Sequence, residues 1–537
     1  MIKRLLQASD SVFSAAVLVG LLSVLSRVVG LLRDRWLSSQ FGAGDELDIF
    51  FAAFRVPDFL FQLLVLGTIS VAFIPIFTKY YPDRSKQAWE YANKILYLVI
   101  FGFSILAGLG VWLAPTLVNL TNIGFSPEKQ QAVVELMRII FIAQLAFGGS
   151  VVFGSVLQGA RRFFLYSFAP IVNNLGILVG AWLFYPVFGL VGLAWGAVLG
   201  AVAHATVQLI GVVSLGYRPT WPRQLLDADV IRTIKVGIPR VFSLATGQIT
   251  FLVLTVLSTI YQAGSVTIFQ FANNLNYFVV GALGVSYGIA SYPTFVAAVN
   301  AKDFTKLQLE INRTVRQVIW LIIPITVITL LLRTQIVRLV YGAGEFDWLA
   351  TVITANTLAF FAIGFFAQCL VFVLARAVLS LGATWMTLWS GLLGLVVTLG
   401  TAYYLAPVFG LPALAGGVSL GAMVQLAVLW VYLHSQLPGI TDRSLLLLSV
   451  RVTLAGISTA IVVQIIKIAF GSWWPLDNFF AVFFQTSVGM AFGLLSYFAI
   501  MYFIFNSSES RDFLQAIRRR SLKRATPVEV VGQMADL

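Results

Sequence analysis

The sequence has little of what soluble proteins depend on, above all charge. Only 11% of its 537 residues are charged and 59% are hydrophobic, whereas about a quarter of the residues in ordinary soluble domains are charged. A soluble chain of this length could not bury so much apolar surface, because the buried fraction rises slowly with size. The composition therefore excludes a soluble enzyme, a disordered protein and a secreted disulfide scaffold, and it predicts a protein that crosses a membrane many times.

Cysteine and histidine are also nearly absent. The one cysteine, Cys369, lies in an apolar run, and the two histidines, His204 and His434, are far apart without acidic neighbours. These positions provide neither a disulfide framework nor the clustered ligands of a protein metal site. We therefore expect no metal and no cofactor.

Long apolar runs fill most of the chain. Because a helix needs about 20 apolar residues to cross a bilayer, we predict an all-α polytopic membrane protein with about fourteen transmembrane helices. The predicted spans lie near residues 11–35, 46–78, 87–120, 130–160, 167–185, 189–216, 234–260, 265–299, 308–333, 349–380, 384–405, 410–434, 445–470 and 478–506.

The net charge of +13 is distributed unevenly over the loops between these spans. The odd-numbered loops contain three cations: Lys129, Arg333 and Arg338. The even-numbered loops contain twelve: Lys79, Arg84, Lys86, Arg161, Arg162, Arg218, Arg223, Arg232, Lys235, Lys302, Lys306 and Arg443. Since cytoplasmic loops are rich in Lys and Arg, the even loops and both termini are predicted to be cytoplasmic. The excess of cations then reports membrane topology, and no nucleic-acid partner is expected.

An internal repeat recurs at an offset of about 220 residues. PVFGLVGLAWGAVLGA at 186–201 matches PVFGLPALAGGVSLGA at 407–422 in 11 of 16 positions, and Ala-Gly with Phe-Ala at 43–52 recurs at 263–272. An offset of six helices gives repeats of parallel topology, which is typical of transporters that work by rocking of two halves. The predicted parts are an N-lobe (1–216), a cytoplasmic linker with room for an interfacial helix (217–233), a C-lobe (234–434), an extra helix pair (435–506) and a basic cytoplasmic tail (507–537).

Charge inside the first span is the main functional signal, because an ion within the membrane is costly and most often functional. Arg27 lies about 16 residues into its helix, too deep for easy snorkelling, and Arg33 follows less than two turns later. A pair of cations beside a wet chamber suits an anionic ligand such as a diphosphate. The alternative is internal ion pairing, for instance of either arginine with Asp48.

The predicted C-lobe has amides where the first two spans have charges. Its intramembrane polar residues include Gln270, Asn273 and Asn274. A sodium site is not expected there, because residues 250–301 and 348–441 contain no Asp or Glu. Glycines at 192, 196 and 200 indicate close helix packing more than ligand contact.

Several motifs resemble the MurJ/MviN family of lipid II flippases. They are SRVVGLLRDRWLSSQFGAGDELDIFFAAFRVPDF from Ser26, LGTISVAFIPIF from Leu66, FAPIVNNLGIL at 168–178, LVYGAGEFD at 339–347 and LARAVLSLGAT at 374–384. The resemblance covers essentially the whole chain. It implies fourteen spans in two lobes plus an extra pair, and a bacterial inner-membrane protein that moves undecaprenyl-diphosphate-linked peptidoglycan precursor to the outer leaflet.

The resemblance also implies roles for particular residues. The family's cavity and gate positions correspond here to Ser26, Arg27, Arg33, Asp34 and Asp48, with Arg55 at a usually basic position and Asn274 in the eighth span. On this basis Arg27 and Arg33 would hold the anionic head group, and Asp48 would orient an arginine or form part of the outer gate.

The sequence departs from the family in three places. It has Phe61-Gln62 where an arginine is common, Leu66 where an acidic residue is common, and Asn273, Asn274 and Tyr277 where a charged Asp-Arg-x-x-x-Glu pattern is expected. Replacing both charges of a pair by amides costs less than losing one partner.

Alternative functions remain open at this point. One is a flippase for another polyprenyl-linked glycan, and another is a cation-coupled drug exporter of the same superfamily, although cationic drugs favour carboxylates over arginines. A membrane glycosyl- or acyltransferase would need histidines, an acidic pair or a larger soluble loop, and a silent scaffold would leave the deep arginines without a role. The expected partners are a lipid-linked anionic substrate, the bilayer and the cell-wall synthesis machinery, and we expect a monomer.

Overall fold

A computed structural model of the chain describes residues 12–63, 67–222, 224–438, 442–474 and 478–515. Within these ranges the regular structure is helical throughout, without a β-strand. Leu66 and the basic tail beyond residue 515 lie outside the described residues. The helices group into two compact units, each of which draws on several stretches of the chain.

The first unit comprises residues 1–278, 337–364 and 383–428. Its helices, some of which continue beyond the unit, are α1 (Val12–Phe41), α2 (Asp45–Phe61), α3 (Gly67–Tyr80), α4 (Ser85–Thr121), α5 (Pro127–Gly159), α6 (Phe163–Val179), α7 (Tyr185–Phe188), α8 (Leu190–Val213), α9 (Ala228–Ser258), α10 (Ser265–Val280), α13 (Trp348–Ile363), α15 (Thr384–Phe409) and α16 (Pro412–Gln436). A π-helical turn, Gly180–Phe184, joins α6 to α7.

The second unit comprises the described residues within 279–336, 365–382 and 429–515. Its helices are α11 (Ser286–Asn300), α12 (Phe304–Val340, of which the last turn belongs to the first unit), α14 (Phe365–Ser380), α17 (Asp442–Trp473) and α18 (Phe479–Ala499). Two further π-helical turns, Gly281–Val285 and Ile500–Ile504, lie next to α11 and α18.

Ten helices in the described residues are long and apolar enough to cross a membrane, or eleven if α13 and α14, which meet at a bend of 46°, form one span. The predicted spans outside this set are the first, the second and the seventh, which correspond to α1, to α2 with α3, and to α9. The first two of these contain the intramembrane charges. The all-helical membrane fold is confirmed, and the count of fourteen is consistent with it but stays a prediction. The division into lobes, linker and tail also stays a prediction.

Polar residues before several helices explain where the helices begin. Ser126 accepts a hydrogen bond from the Lys129 N–H at the start of α5, and Pro127 occupies the first helical position. The side chains of Asp227, Asp347 and Asn478 accept the equivalent bonds at the starts of α9, α13 and α18. Such caps satisfy backbone donors that the helix itself leaves free.

Glycines bring α6 and α8 into backbone contact, as the sequence predicts. A Cβ on Gly196 would lie 2.4 Å from the Gly180 Cα, and a Cβ on Gly176 would lie 2.2 Å from the Gly200 Cα. Gly192 makes a similar approach to the backbone of Phe184. The glycine stripe is therefore a packing surface.

The helices differ from the predicted spans at two places. α12 continues to Val340, so Arg333 and Arg338, which we assigned to an odd-numbered loop, lie inside a helix. The predicted linker contains no separate helix among its described residues up to Asp227, and its last residues form the start of α9. Charged residues at a helix end look like a loop in the sequence because apolar periodicity stops there.

Candidate functional site

Arg33 and Asp34, both on α1, form an ion pair inside the first unit. The Arg33 guanidinium donates to Asp34 Oδ1 through Nε at 2.9 Å and Nη2 at 2.6 Å, and through Nη1 to Asn174 Oδ1 on α6 at 2.9 Å. Asp34 is buried, whereas the Arg33 side chain is 21% exposed. Arg33 is thus internally ion-paired, as the alternative interpretation held, but its partner is the adjacent Asp34 and not Asp48.

Asp34 continues into a chain of hydrogen bonds that reaches a second arginine. Asn274 Nδ2 on α10 donates to Asp34 Oδ2 at 2.9 Å, and Gln270 Nε2 donates to Asn274 Oδ1 at 2.8 Å. Arg55 on α2 completes the chain by donating through Nη2 to Gln270 Oε1. Residues 33, 34, 274, 270 and 55 thus form one network across α1, α10 and α2, which we call the arginine network.

Arg55 has further contacts at its end of the network. Its guanidinium lies 4.2 Å from the centroid of the Phe251 ring, a distance suited to a cation–π interaction. Its Nε is buried without a hydrogen-bond partner. Asp58, one turn along α2, accepts a hydrogen bond from Gln144. Arg55 therefore keeps unused hydrogen-bonding capacity.

Arg27 lies apart from the arginine network but on the same helix. Its Nη1 donates to the Phe278 carbonyl at 3.4 Å and its guanidinium lies 6.0 Å from the Phe278 ring centroid. Among the described residues no carboxylate lies within ion-pair distance of it. Ser26 contributes its backbone carbonyl, which accepts from Asn174 Nδ2 at 3.5 Å. Arg27 is the exposed cation of this region.

Asp48 lies elsewhere, at the N-terminus of α10. It is 1% exposed and accepts hydrogen bonds from the Gly264 N–H at 2.7 Å, the Thr267 N–H at 2.8 Å and the Thr267 hydroxyl at 2.8 Å. A carboxylate is well suited to this place because a helix N-terminus presents free N–H groups and a positive dipole end. Asp48 thus joins the start of α2 to the start of α10 instead of orienting an arginine.

The loops around Asp48 pack closely together, and all are odd-numbered: residues 42–44, 122–126, 259–264 and 341–347, which we call the odd-loop end. Gly264 has φ +87°, and a Cβ on it would lie 2.1 Å from the Ala43 carbonyl oxygen. The Glu345 N–H donates to the Ser39 carbonyl at 3.0 Å, and Lys129 forms an ion pair with Asp45. These contacts join the four loops to one another, largely through their backbones.

Equivalent residues of the predicted repeat meet near the odd-loop end. The rings of Phe51 and Phe271, which are partners in the repeat, lie with centroids 5.7 Å apart. A Cβ on Gly264, in the second Ala-Gly motif, would lie 2.1 Å from the carbonyl oxygen of Ala43, in the first. A pseudo-two-fold relation between the two copies would bring equivalent residues together in this way.

A second ion pair joins α4 to the segment between α8 and α9. Lys94 Nζ on α4 lies 2.9 Å from Asp227 Oδ2. Burial opposes the ionisation of Asp227, but hydrogen bonds from the Val230 N–H and from Lys94 outweigh it and hold the pKa of this carboxyl below its ordinary value. The pair ties the linker before α9 to α4.

A family model described as Lipid II flippase MurJ matches residues 37–484 of this sequence. The chain belongs to the MurJ family of lipid II flippases. It is accordingly a transporter-family protein and not an enzyme, and a multi-pass protein of the bacterial inner membrane. This confirms the resemblance that the sequence motifs indicate.

Individual MurJ proteins are similar over most of the chain. A probable lipid II flippase MurJ of Treponema pallidum (strain Nichols) is 26% identical over 90% of this chain and 92% of its own length. A solved structure of a lipid II flippase MurJ in an inward closed conformation has a TM-score of 0.75 at 19% identity and covers 90% of this chain and 99% of its own. An inward-facing multidrug resistance transporter of the MATE family has a TM-score of 0.63 at 15% identity, covering 79% and 98%. The two structures show the shared fold.

The structure brings four of the seven predicted site residues, Arg33, Asp34, Arg55 and Asn274, into one network. Ser26 and Arg27 lie beside it on α1, and Asp48 lies at the odd-loop end. Sequence reasoning did not assign Asn174 or Gln270 to the site. The signal for Asn174 was the pair Asn173-Asn174 in an apolar helix, and the signal for Gln270 was its place four residues before Asn274. Burying an amide without a hydrogen-bond partner costs free energy, so such amides are expected to have partners.

Proposed function

We propose that this protein is a flippase that moves lipid II from the inner to the outer leaflet by alternating access. The observation that carries the proposal is the arginine network, which gathers cations from α1 and α2 inside a member of the MurJ family. The three arginines of this region, at 27, 33 and 55, outnumber its two carboxylates, Asp34 beside Arg33 and Asp58 beside Arg55. The resulting excess of positive charge favours an anionic ligand such as a diphosphate.

In this proposal the arginines hold the diphosphate with the donors that the protein leaves unused. A guanidinium has five N–H groups. Arg33 uses three of them, on Asp34 and Asn174, and Arg27 uses one, on the Phe278 carbonyl. Fixing Arg33 on one side aims its remaining donors, so less conformational entropy is lost when the ligand binds. The polyprenyl tail would stay in lipid.

Asn274 accounts for the missing family charges. Its amide nitrogen donates to Asp34 and its oxygen accepts from Gln270, so both network neighbours are satisfied without another cation. A neutral amide here leaves the Asp34 carboxylate partnered at a lower desolvation cost than a charged pair. We infer that head-group binding in this protein depends on Arg27, Arg33 and Arg55.

Asp48 is proposed to act as a latch of the outer gate. By the loop charges, the odd-loop end faces outward, and the two termini are cytoplasmic. The three hydrogen bonds to Asp48 would then hold the outer side closed while the substrate enters from inside. Opening has to break these bonds, and the lobes predicted from the repeat are the bodies that would rock.

We further propose that the protein acts as a monomer and that the membrane potential or the substrate gradient drives transport. The amide-rich predicted C-lobe supports this, since it offers no cluster of carboxylates for a coupling sodium ion. Association with the cell-wall synthesis machinery is a separate proposal that a pull-down from membranes would test.

The test is complementation of a strain depleted of its lipid II flippase, together with an assay of lipid II exposure in the outer leaflet. We expect Arg27→Ala and Arg33→Ala to abolish both readouts with normal membrane insertion, and Arg33→Lys to retain part of them because it keeps the charge but loses the fork. The matched control is Arg138→Ala, which removes an exposed cation of α5 whose one hydrogen bond among the described residues goes to the Val111 carbonyl.

Full activity of both the Arg27→Ala and the Arg33→Ala variants would contradict this role for the arginines. A related outcome distinguishes the substrate. If the protein exposes another polyprenyl-linked glycan but not lipid II in the same assay, the flippase mechanism stands and the head-group assignment is wrong.

A further inference from the structure

Two cations in the second unit lie on neighbouring carbonyls of α12. Lys467 Nζ on α17 donates to the Leu331 carbonyl at 3.2 Å, and Arg333 Nη1 donates to the Leu330 carbonyl at 2.7 Å. Consecutive carbonyl oxygens of an α-helix are on the order of 4 Å apart. The two positive charges therefore lie within about 10 Å of each other, by addition of these distances.

Neither cation has a carboxylate partner within 4 Å in the described part of the chain. Their recorded partners are backbone carbonyls, which leave both charges uncompensated. Arg333 Nε is in addition buried without a hydrogen-bond partner. Cations inside a membrane protein usually pair with carboxylates or serve a ligand, because uncompensated charge is costly there.

A pair of buried amides adjoins the cations. Gln485 on α18 is 1% exposed and donates through Nε2 to the Lys467 carbonyl at 2.9 Å. Gln335, 9% exposed, donates through Nε2 to Gln485 Oε1 at 3.4 Å. Its Oε1 is buried and has no partner. Unused donors and an unused acceptor thus occur together, which suits a ligand with both oxyanion and hydroxyl groups.

A buried apolar core lies on one side of this cluster, and exposed apolar side chains lie on the other. Ile328, Leu332 and Val463 form a buried apolar core beside it. On α17, Ile465 and Ile468 flank Lys467 and are 60% and 63% exposed. The cations therefore lie at the edge of an apolar surface of the kind that lipid chains contact.

The cluster lies near one end of all three helices. Arg333 is seven residues from the end of α12 and Lys467 is six from the end of α17, which is about 10 Å along each helix axis. α12 has 37 residues and is roughly 55 Å long, which exceeds the 40–45 Å of a bilayer with its head groups. Since an odd-numbered loop follows α12, the cluster belongs to the head-group region of the outer leaflet in the predicted topology.

We propose that Arg333 and Lys467 bind the phosphate group of an anionic lipid in the outer leaflet, with Gln335 accepting a hydrogen bond from its head group. Two sources provide this chemistry. One is an anionic phospholipid, and the other is the diphosphate of a polyprenyl lipid after translocation, an arm that rests on the proposed function. Either lipid would lie with its chains on the exposed face of α17.

The experiment uses the full chain in nanodiscs and a photoreactive residue next to the cluster. Ile468→p-benzoyl-phenylalanine reports lipids at Lys467, and Ile461→p-benzoyl-phenylalanine, also lipid-facing but about 10 Å further along α17, is the positional control. The discs contain phosphatidylcholine alone, phosphatidylcholine with phosphatidylglycerol, or phosphatidylcholine with undecaprenyl diphosphate. Mass spectrometry identifies the lipid attached.

We expect position 468 to label phosphatidylglycerol or undecaprenyl diphosphate in preference to phosphatidylcholine. Each Lys or Arg near a membrane surface contributes about 1 kcal/mol to binding of anionic lipid, so the preference should fall about fivefold in Lys467→Gln and about thirtyfold in the double variant with Arg333→Gln. Lys467→Arg should keep it, which separates loss of charge from loss of fold.

Labelling of undecaprenyl diphosphate alone identifies the product lipid, and labelling of phosphatidylglycerol alone identifies a phospholipid site. In the second case the proposed function is unaffected, since it is tested by complementation. Equal labelling of all three lipids, unchanged in the double variant, would overturn the inference.

Discussion

The arginine network of the first unit and the cation cluster of the second (Arg333 and Lys467) differ in how their positive charges are compensated. In the network, Arg33 bonds to Asp34 and Arg55 bonds to Gln270. Asn274 connects these two partners, because it donates to Asp34 and accepts from Gln270. In the cluster, Arg333 and Lys467 rest on backbone carbonyls without a carboxylate among the described residues. A cation that is bonded to other side chains stabilises the fold as well as serving a binding site. A cation without a carboxylate partner contributes little to the fold and can bind a ligand.

The largest loss of stability is expected from a substitution at the odd-loop end of the first unit. Gly264→Ala should strongly destabilise the protein, because its φ of +87° disfavours a side chain and its Cβ would lie 2.1 Å from the Ala43 oxygen. Gly216 has φ +88° with nothing within 4 Å of its Cβ position, so Gly216→Ala is a matched control that carries only the left-handed strain of about 1–2 kcal/mol. We expect Gly264→Ala to cost about 2–3 kcal/mol more. Thermal unfolding of the purified variants measures this, and equal melting temperatures would contradict the close contact.

Asp48→Ala should cause the second-largest loss of stability. It leaves two N–H groups and a hydroxyl without an acceptor at a buried site, at a cost of about 2–4 kcal/mol. Asp347→Ala removes an exposed helix cap with one hydrogen bond from Ala350, which costs about 1 kcal/mol. If the two variants unfold at the same temperature, Asp48 does not hold the odd-loop end together.

The third prediction tests the comparison directly. Arg33→Gln should cost about 2 kcal/mol, since it removes the ion pair and both hydrogen bonds that Arg33 donates to the buried Asp34. Lys467→Gln should change stability by less than about 0.5 kcal/mol, because no carboxylate loses a partner. Unfolding of both variants in lipid-free detergent is the measurement. A large loss in Lys467→Gln would show that the protein itself uses this cation and would remove the main argument for a lipid site.

The smallest effect is expected at the Lys94–Asp227 pair. Because the folded pKa of Asp227 lies below its unfolded value of about 3.9, its ionised form contributes stability above that value, and the contribution is lost as the pH falls through the lower folded pKa. Asp227→Asn should therefore lower stability at neutral pH by less than about 1 kcal/mol, since the Asp227 side chain is 30% exposed and solvent screens the interaction, and should have no effect in strong acid. Melting temperatures over an acid pH series check this. A difference that grows as the pH falls would have the wrong sign.

Much of the fold could be read from local patterns. Apolar runs locate the helices, and glycines at 192, 196 and 200 predict the close helix packing that the structure shows between α6 and α8. The helix orientation that the loop cations indicate stays a prediction. The end of α12 was missed because Arg333 and Arg338 interrupt its apolar run, although the helix continues through them. A helix that exceeds the bilayer thickness can continue beyond its apolar run.

For the candidate site, the sequence by itself determined which charges are placed in α1 and α2, because a charge in an apolar run is visible without any structure. Only the tertiary structure decided their partners. Asp48 bonds to Gly264 and Arg55 to Gln270, more than 200 residues away in the chain, and Arg33 takes the adjacent Asp34 in preference to Asp48. Each helix residue turns the side chain by about 100°, so a small change in how two helices meet selects a different partner, and no local pattern records that angle.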